Sequence, residues 1–256
     1  MTKDKLFADK KEKLNDFNFG KETAEVFDDM LERSVPFYRE LQRMIGEIAC
    51  EFAVDGTNIY DLGCSTGITL TTVNEHVKKD VTFIGFDYSQ EMLDKCKENF
   101  IMNNFPGRYE LMCRDLNQGV LINNASVVIL NLTLQFIRPL YRDQLIKNIY
   151  EGLNTNGCLI LVEKVLGNNS TFNRMFIEFY YRLKKQKGYS DIEITRKREA
   201  LENVLIPYRL DENKELLSKN GFSQLDIFYK WYNFCGIVAL KQQRNYPIND
   251  SSNPRN

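Results

Sequence analysis

Ile59-Tyr60-Asp61-Leu62-Gly63-Cys64-Ser65-Thr66-Gly67, followed by Phe83-Ile84-Gly85-Phe86-Asp87, decides how this chain is read. The first stretch is the apolar run of a buried strand, then a glycine turn, then a helix start. The second is another apolar run that ends in a carboxylate. Gly63 lets the backbone turn sharply and approach a ligand closely, and Gly67 suits close packing of the next helix on the sheet. Asp87 lies 24 positions after Gly63, where the second strand of a βαβ unit delivers an acid to a ribose diol. The pattern is that of a nucleoside-binding α/β domain. It lacks the G-x-G-x-x-G of a pyrophosphate cradle, which points away from NAD and towards S-adenosylmethionine. The alternative is a structural strand–turn–helix with an incidental acid.

Working outward, strands are expected near 58–62, 81–87, 108–113, 126–131 and 157–163. Val81–Ile84, Ser126–Leu130 and Cys158–Val162 are near-continuous apolar runs, as in parallel strands covered on both faces. Helices are expected between them at 66–77, 90–102 and 140–153, with Ser89 as an N-cap. Before the sheet, one helix spans Glu22 to Glu32. Ser34-Val35-Pro36 reads as the N-cap and opening turn of a second, whose apolar face is Phe37, Leu41, Met44, Ile45, Ile48 and Phe52. The region 170–205 breaks the alternation with two helical stretches, an insertion able to cover a ligand. A short helix near 212–219 and the runs 223–229 and 233–240 close the domain as a terminal antiparallel pair. The expected organisation is a flexible segment over 1–20, one ligand-binding α/β domain over 21–241, and a disordered tail over 242–256.

The 256 residues suffice for one such domain with a sizeable core. With 34 Lys+Arg against 35 Asp+Glu, no global field recruits nucleic acid or a membrane surface. The charged N-terminus and the absence of a long apolar run fit a cytoplasmic protein without a membrane span. Six scattered cysteines without a C-x-x-C pair read as reduced thiols. With one histidine in the chain, no metal site is expected. That histidine, His76, reads as a solvated residue at a helix end. Triad hydrolysis thereby loses its usual base.

Ligands in open α/β sheets bind beyond the carboxyl ends of the strands. Four such ends carry polar groups here. At Gly63-Cys64-Ser65, backbone N–H groups can meet the amino-acid part of the ligand. Asp87 is placed for the ribose hydroxyls and Tyr88 for the adenine. Asp115, or the Leu116 amide, can read the adenine edge, and Asn131 faces the sulfonium. Asp115 can equally cap a turn, Asn131 can satisfy loose backbone groups, and Cys64 can be a small packing residue.

Several stretches resemble the carboxy-S-adenosyl-L-methionine synthase family: Ala24–Tyr38, Tyr60–Ser65, Asn131–Phe136, and Gly188–Ile194 with Lys197-Arg198 and Leu201–Val204. The likeness runs from about Asn18 to Leu240, and Ser65 stands where ordinary methyltransferases usually carry another glycine. The resemblance implies a Rossmann-like class I methyltransferase fold. Such a fold has a mostly parallel seven-stranded sheet with a terminal antiparallel strand, here joined by N-terminal helices and a helical insertion. It implies that S-adenosyl-L-methionine and prephenate give carboxy-S-adenosyl-L-methionine and phenylpyruvate, without a metal. A homodimer is implied, with a partner tRNA carboxymethyltransferase using the product to modify a wobble uridine. By position, Tyr38, Gly63, Cys64, Ser65, Asp87, Tyr88, Asp115, Leu116, Asn131 and Arg198 match the family's ligand contacts. Two departures, Asn154-Thr155-Asn156-Gly157 before the fifth strand and the 116–124 loop, lie away from the implied chemistry.

The implied reaction needs no strong protein base. A sulfonium acidifies its methyl group, and hydroxide released with carbon dioxide as prephenate aromatises can remove the proton. The protein's tasks are to hold the reactants and exclude water. The new carboxylate calls for a cation, and an arginine fork binds both oxygens. Arg198 is the residue implied for that role, although Thr195-Arg196-Lys197-Arg198 also reads as a solvated basic face. Tyr38 either offers its hydroxyl to the ligand or packs between helices. Other readings are an ordinary S-adenosylmethionine-dependent methyltransferase and a non-catalytic adenosyl-ligand or tRNA-modification partner. Lys184, Lys185 and Lys187 read as a solvated surface, with a partner surface as the alternative.

Overall fold

The structure, a computed structural model, describes residues 2–8 and 16–242. Its strands are β1 (Asn58–Leu62), β2 (Thr82–Asp87), β3 (Arg108–Cys113), β4 (Ala125–Asn131), β5 (Leu153–Lys164), β6 (Gln224–Trp231) and β7 (Phe234–Leu240). They form one seven-stranded sheet in the order β3-β2-β1-β4-β5-β7-β6. The first five are parallel, and β7 runs antiparallel to both neighbours. Strand order reverses between β1 and β4, and a ligand crevice opens at such a switch point.

The helices are α1 (Lys21–Ser34), α2 (Tyr38–Phe52), α3 (Ile68–His76), α4 (Gln90–Met102), α5 (Pro139–Gly152), α6 (Ser170–Gln186), α7 (Asp191–Leu201) and α8 (Leu210–Lys219). Side chains alternate across the sheet, so each apolar strand feeds two cores. Leu62, Phe86, Val128, Leu130 and Leu161 pack with Leu145, Ile149 and Leu217 from α5 and α8. Ile59, Phe83, Val127, Ile129 and Ile160 pack with Leu41, Leu70, Val73 and Leu93 from α2, α3 and α4. Burial on both faces explains why these strands lack polar alternation.

Ser89 caps α4 as expected, accepting from the Met92 N–H at 3.1 Å. Other details differ from the sequence reading. Ser34 ends α1 rather than capping α2, whose N-cap is Phe37 in a left-handed conformation, φ 49°. Phe37 is largely exposed, and the buried stripe of α2 is Leu41, Ile45 and Ala49. β5 starts earlier than expected. The Asn154–Gly157 segment bulges out of it, with Asn156 at φ 65°, and pairing with β4 resumes at Cys158. His76 is half-buried, not solvated, and a Cβ on Gly46 of α2 would lie 2.6 Å from its Nδ1.

The described part of the N-terminal segment is held rather than loose. Asp4 is buried, its N–H donates to Asp29 Oδ2 at 2.7 Å, and the Phe17 N–H donates to the Ala200 carbonyl at 2.9 Å. A few specific contacts anchor a polar stretch that has no periodicity to betray them. The expected tail falls, beyond Gln242, outside the described residues.

Candidate functional site

At the carboxyl edge of the sheet a cavity is lined by Gly63, Cys64, Ser65, Asp87, Tyr88, Asp115, Leu116 and Asn131, together with Tyr38 from α2. Nine of the ten sequence-derived site residues therefore meet in one place. Its floor is the turn after β1. Gly63 sits at φ 86°, and a Cβ there would lie 2.5 Å from Thr133 Oγ1, so both the turn and its packing require glycine. Ser65 holds φ 48°, a left-handed conformation that costs a side-chain-bearing residue energy and that glycine would adopt freely.

The turn spends its donors internally. The N–H groups of Gly63 and Cys64 both donate to the Phe86 carbonyl, at 2.7 and 2.9 Å, and that of Ser65 donates to Asp87 Oδ2 at 3.0 Å. The expectation that these N–H groups meet the ligand's amino-acid part is thus corrected: they bind β2 instead. Asp87 is buried at the end of β2 and also accepts from the Ser89 N–H at 2.9 Å. Burial pushes its carboxyl above the usual range, and a hydrogen-bonding diol would offset that desolvation. Asp61, inside β1, is fully buried and neither of its carboxylate oxygens has a partner among the described residues. Burial, and then the charge of Asp87, push it to about 8.

The wall beside Tyr88 is aromatic. Phe19 meets Tyr88 edge-on at 5.8 Å and Phe136 at 5.2 Å, and Phe17 lies 5.0 Å from Phe19. Asp115 caps the short turn Leu116–Gln118, accepting from the Asn117 N–H at 2.9 Å, while still lining the cavity. Cys64 is buried against Cys96, and that contact, reinforced by burial, pushes its thiol up and keeps it protonated. Tyr38 is buried, and burial raises its phenol well above its ordinary value.

Toward β4 and β5 the wall changes character. Asn131 donates to Thr69 Oγ1 at 3.1 Å, but its buried Oδ1 has no partner among the described residues. Lys164 at the end of β5 lines the cavity, and so do Tyr180, Lys197, Leu201 and Leu205 from the 170–205 insertion. Lys184 is buried over the Tyr180 ring at 5.5 Å, which corrects its reading as a solvated residue. The structure does not bring Arg198 to its own chain's cavity. It is 60% exposed on α7, bonded to Tyr181 and 4.0 Å from Glu199, while its neighbour Lys197 turns inward.

Lys164, Phe17 and Phe19 were not singled out from the sequence, and Lys197, read there within a solvated basic face, is buried instead. Lys164 carries the same signal as Asp87 and Asn131, a polar residue ending a buried strand, and the fifth strand could have been read that way. Nothing local marks Phe17 and Phe19, which sit in a polar stretch.

Among the described residues no helix is long and apolar enough to cross a membrane. Residues 59–157 match the methyltransferase domain family. An O-methyltransferase family protein from Burkholderia thailandensis superposes with a TM-score of 0.65 at 14% identity, covering 89% of this chain and 64% of that one. Human N-acetylserotonin methyltransferase in complex with SAM gives 0.56 at 14% identity, over 87% of this chain and 55% of that one. Fold and site together define a Rossmann-like class I methyltransferase fold with a cavity at the switch point of its sheet. A carboxy-S-adenosyl-L-methionine synthase of Methylococcus capsulatus is 55% identical over 94% of this chain and 100% of its own length. Another, from Desulforapulum autotrophicum, is 42% identical over 95% of this chain and 99% of its own length. The chain belongs to the carboxy-S-adenosyl-L-methionine synthase family.

Proposed function

We propose that this enzyme converts S-adenosyl-L-methionine and prephenate to carboxy-S-adenosyl-L-methionine and phenylpyruvate. In this reading it works in the cytoplasm as a homodimer, and a tRNA carboxymethyltransferase uses its product on wobble uridines. The observation that carries the reading is the end-to-end 55% identity with a relative bearing the synthase name. The solved methyltransferases quoted above share only the fold.

The chemistry fits the lining. Prephenate aromatises by breaking its ring C–carboxylate and ring C–hydroxyl bonds, releasing carbon dioxide and hydroxide. Hydroxide takes one proton from the S-methyl group and becomes water, and the resulting carbanion forms a C–C bond to carbon dioxide. The cavity has no histidine in its lining to act as base, and none is required. Asp87 would hold the ribose, the Phe19–Tyr88 pair would border the adenine, and Asn131 Oδ1 would face the sulfonium. Tyr38, Gly63, Cys64, Ser65, Asp115 and Leu116 would complete the ligand's bed. Walls from α6 and α7 keep carbon dioxide and the carbanion together and water out. Arg198, exposed on its own chain, would grip the new carboxylate across a subunit interface.

Incubation of purified protein with S-adenosyl-L-methionine and prephenate, followed by mass spectrometry, tests the reading. A sulfonium product one CO₂ heavier, with phenylpyruvate in equal amount, is expected. Turnover only with a methyl acceptor would make the chain an ordinary methyltransferase, and cofactor binding without any turnover would make it a non-catalytic partner.

A further inference from the structure

We propose that Lys164 and Lys197 form an anion subsite that receives a carboxylate of the second substrate at the β4–β5 side of the cavity. The inference rests on the reading above that the second substrate is a carboxylic acid, and assigns the groups that hold it.

Lys164 ends β5, and its ammonium lies 4.9 Å from the Tyr180 ring centroid. Among the described residues no hydrogen bond or ion pair engages its Nζ. Lys197 is buried, yet among the described residues its ammonium has one hydrogen bond, 3.3 Å to Ser34 Oγ, a long 3.9 Å pairing with Asp4 Oδ2 and the Tyr189 ring at 5.7 Å. Both line the cavity, so both have donors to spare where a ligand would lie. Behind them stand two more cations, Lys184 and Arg33, against the carboxylates of Asp4 and Asp29. Glu193 is occupied at the surface in the cap of α7. Burial lowers Lys164 to about 8, and burial with neighbouring positive charge lowers Lys197 to about 8 and Lys184 to about 7. Such a cluster is costly when empty and is relieved by an anion.

Position separates this subsite from the nucleoside. Lys164 stands three strands from Asp87 across the sheet, roughly 14 Å at ordinary strand spacing. That exceeds the ribose-to-sulfur span of an adenosyl sulfonium, so the backbone of Lys164 falls beyond the reacting methyl group. A carboxylate anchored there keeps the departing carbon dioxide beside the sulfonium. Two point charges also suit an anion that must leave as product better than a bidentate clamp would.

Lys164→Met, Lys197→Met and Lys164→Arg test the subsite with two readouts. The first is KM and kcat for prephenate. The second is calorimetric binding of phenylpyruvate to the S-adenosyl-L-methionine-loaded protein, which does not depend on turnover. Each Met variant is expected to raise KM and weaken phenylpyruvate about tenfold or more, with S-adenosyl-L-methionine affinity within about threefold, and Lys164→Arg to recover most of the loss. Unchanged phenylpyruvate binding in Lys164→Met, or no phenylpyruvate binding by the wild type, would overturn the subsite. A parallel loss of S-adenosyl-L-methionine would assign the lysines to the methionine carboxylate and overturn it too. If the wild type binds phenylpyruvate through Lys164 but does not turn over prephenate, the proposed reaction falls and the anion subsite stands.

Discussion

Tyr189 Oη donates to Asp4 Oδ2 at 2.5 Å, joining residues 185 apart in sequence. The bond pins the chain's beginning beneath the α6–α7 insertion, where Arg33 Nη1 also donates to the Asp4 carbonyl at 3.1 Å. Asp4 is thus the structural counter-charge of the lysine cluster, set behind the cavity wall. Removing it leaves buried ammonium groups without their carboxylate, which typically costs about 3–5 kcal/mol. Proton release by Lys184 and Lys197, already lowered to about 7 and about 8 by burial, moderates the loss. Asp4→Ala is expected to lower the unfolding free energy by about 3 kcal/mol at neutral pH in urea titrations. A change below about 1 kcal/mol would show that the N-terminal anchor is dispensable.

Asp61 makes stability depend on pH. Its folded-state value of about 8 lies above the ordinary aspartate value of 3.8, chiefly through burial and then through Asp87. The folded state therefore holds a proton that the unfolded chain has released. The stabilisation is complete below about pH 4 and is lost as pH rises towards 8, by about 1.4 kcal/mol per unit. Asp61→Asn cannot titrate. Wild type should therefore lose stability relative to Asp61→Asn, in ligand-free protein, by about that slope between pH 5 and 7. A pH-independent difference would mean that Asp61 is ionised in the fold.

The half of the cavity around Gly63, Asp87 and Asn131 was legible in the sequence because its residues follow local rules. A strand's apolar run, a glycine at positive φ and an acid at the next strand end need only neighbours in sequence, and Gly63, Asp87 and Asn131 duly meet. The second-substrate half was not. Lys164 and Lys197 come from β5 and α7. Choosing Lys197 over Arg198 as the inward cation depends on how α7 rotates against α6, which a run of basic residues does not encode. The register of α2 was likewise misplaced near its start. Its apolar stripe was visible, but the left-handed turn at Phe37 carries no sequence signal such as glycine or asparagine. The solvated reading of Lys184 failed for a related reason: its stem and ammonium find aromatic rings that only tertiary packing supplies.

Gly63→Ala separates backbone strain from collision. The left-handed φ of 86° would cost alanine about 1–2 kcal/mol, and its methyl would meet Thr133 Oγ1 at 2.5 Å and Cγ2 at 2.6 Å. Both effects act on the turn that carries Ser65 to Asp87, so ligand affinity should fall by about tenfold or more along with stability. Thr133→Ala removes the colliding atoms but not the strain. The double variant should therefore recover part of the single variant's loss in both calorimetry and thermal unfolding. No recovery would place the whole defect in the backbone.

Arg198 gives a test that a structural role could not pass. Its side chain is largely exposed, and its ion-pair distance to Glu199 is 4.0 Å. A pair of that length at the surface stabilises little. Arg198→Ala should therefore leave thermal unfolding nearly unchanged. If the fork grips the carboxylated product across a subunit interface, affinity for that product should fall about tenfold or more while S-adenosyl-L-methionine binds as before. Mixing then locates the contact. Heterodimers of Arg198→Ala with Asp87→Ala pair one intact adenosyl cavity with an Arg198 supplied by the other chain. Activity regained on mixing two inactive proteins would establish the shared site. If mixing restores nothing although the heterodimer forms, Arg198 serves its own chain after a movement of α7. Equal losses for both ligands would remove it from carboxylate recognition altogether.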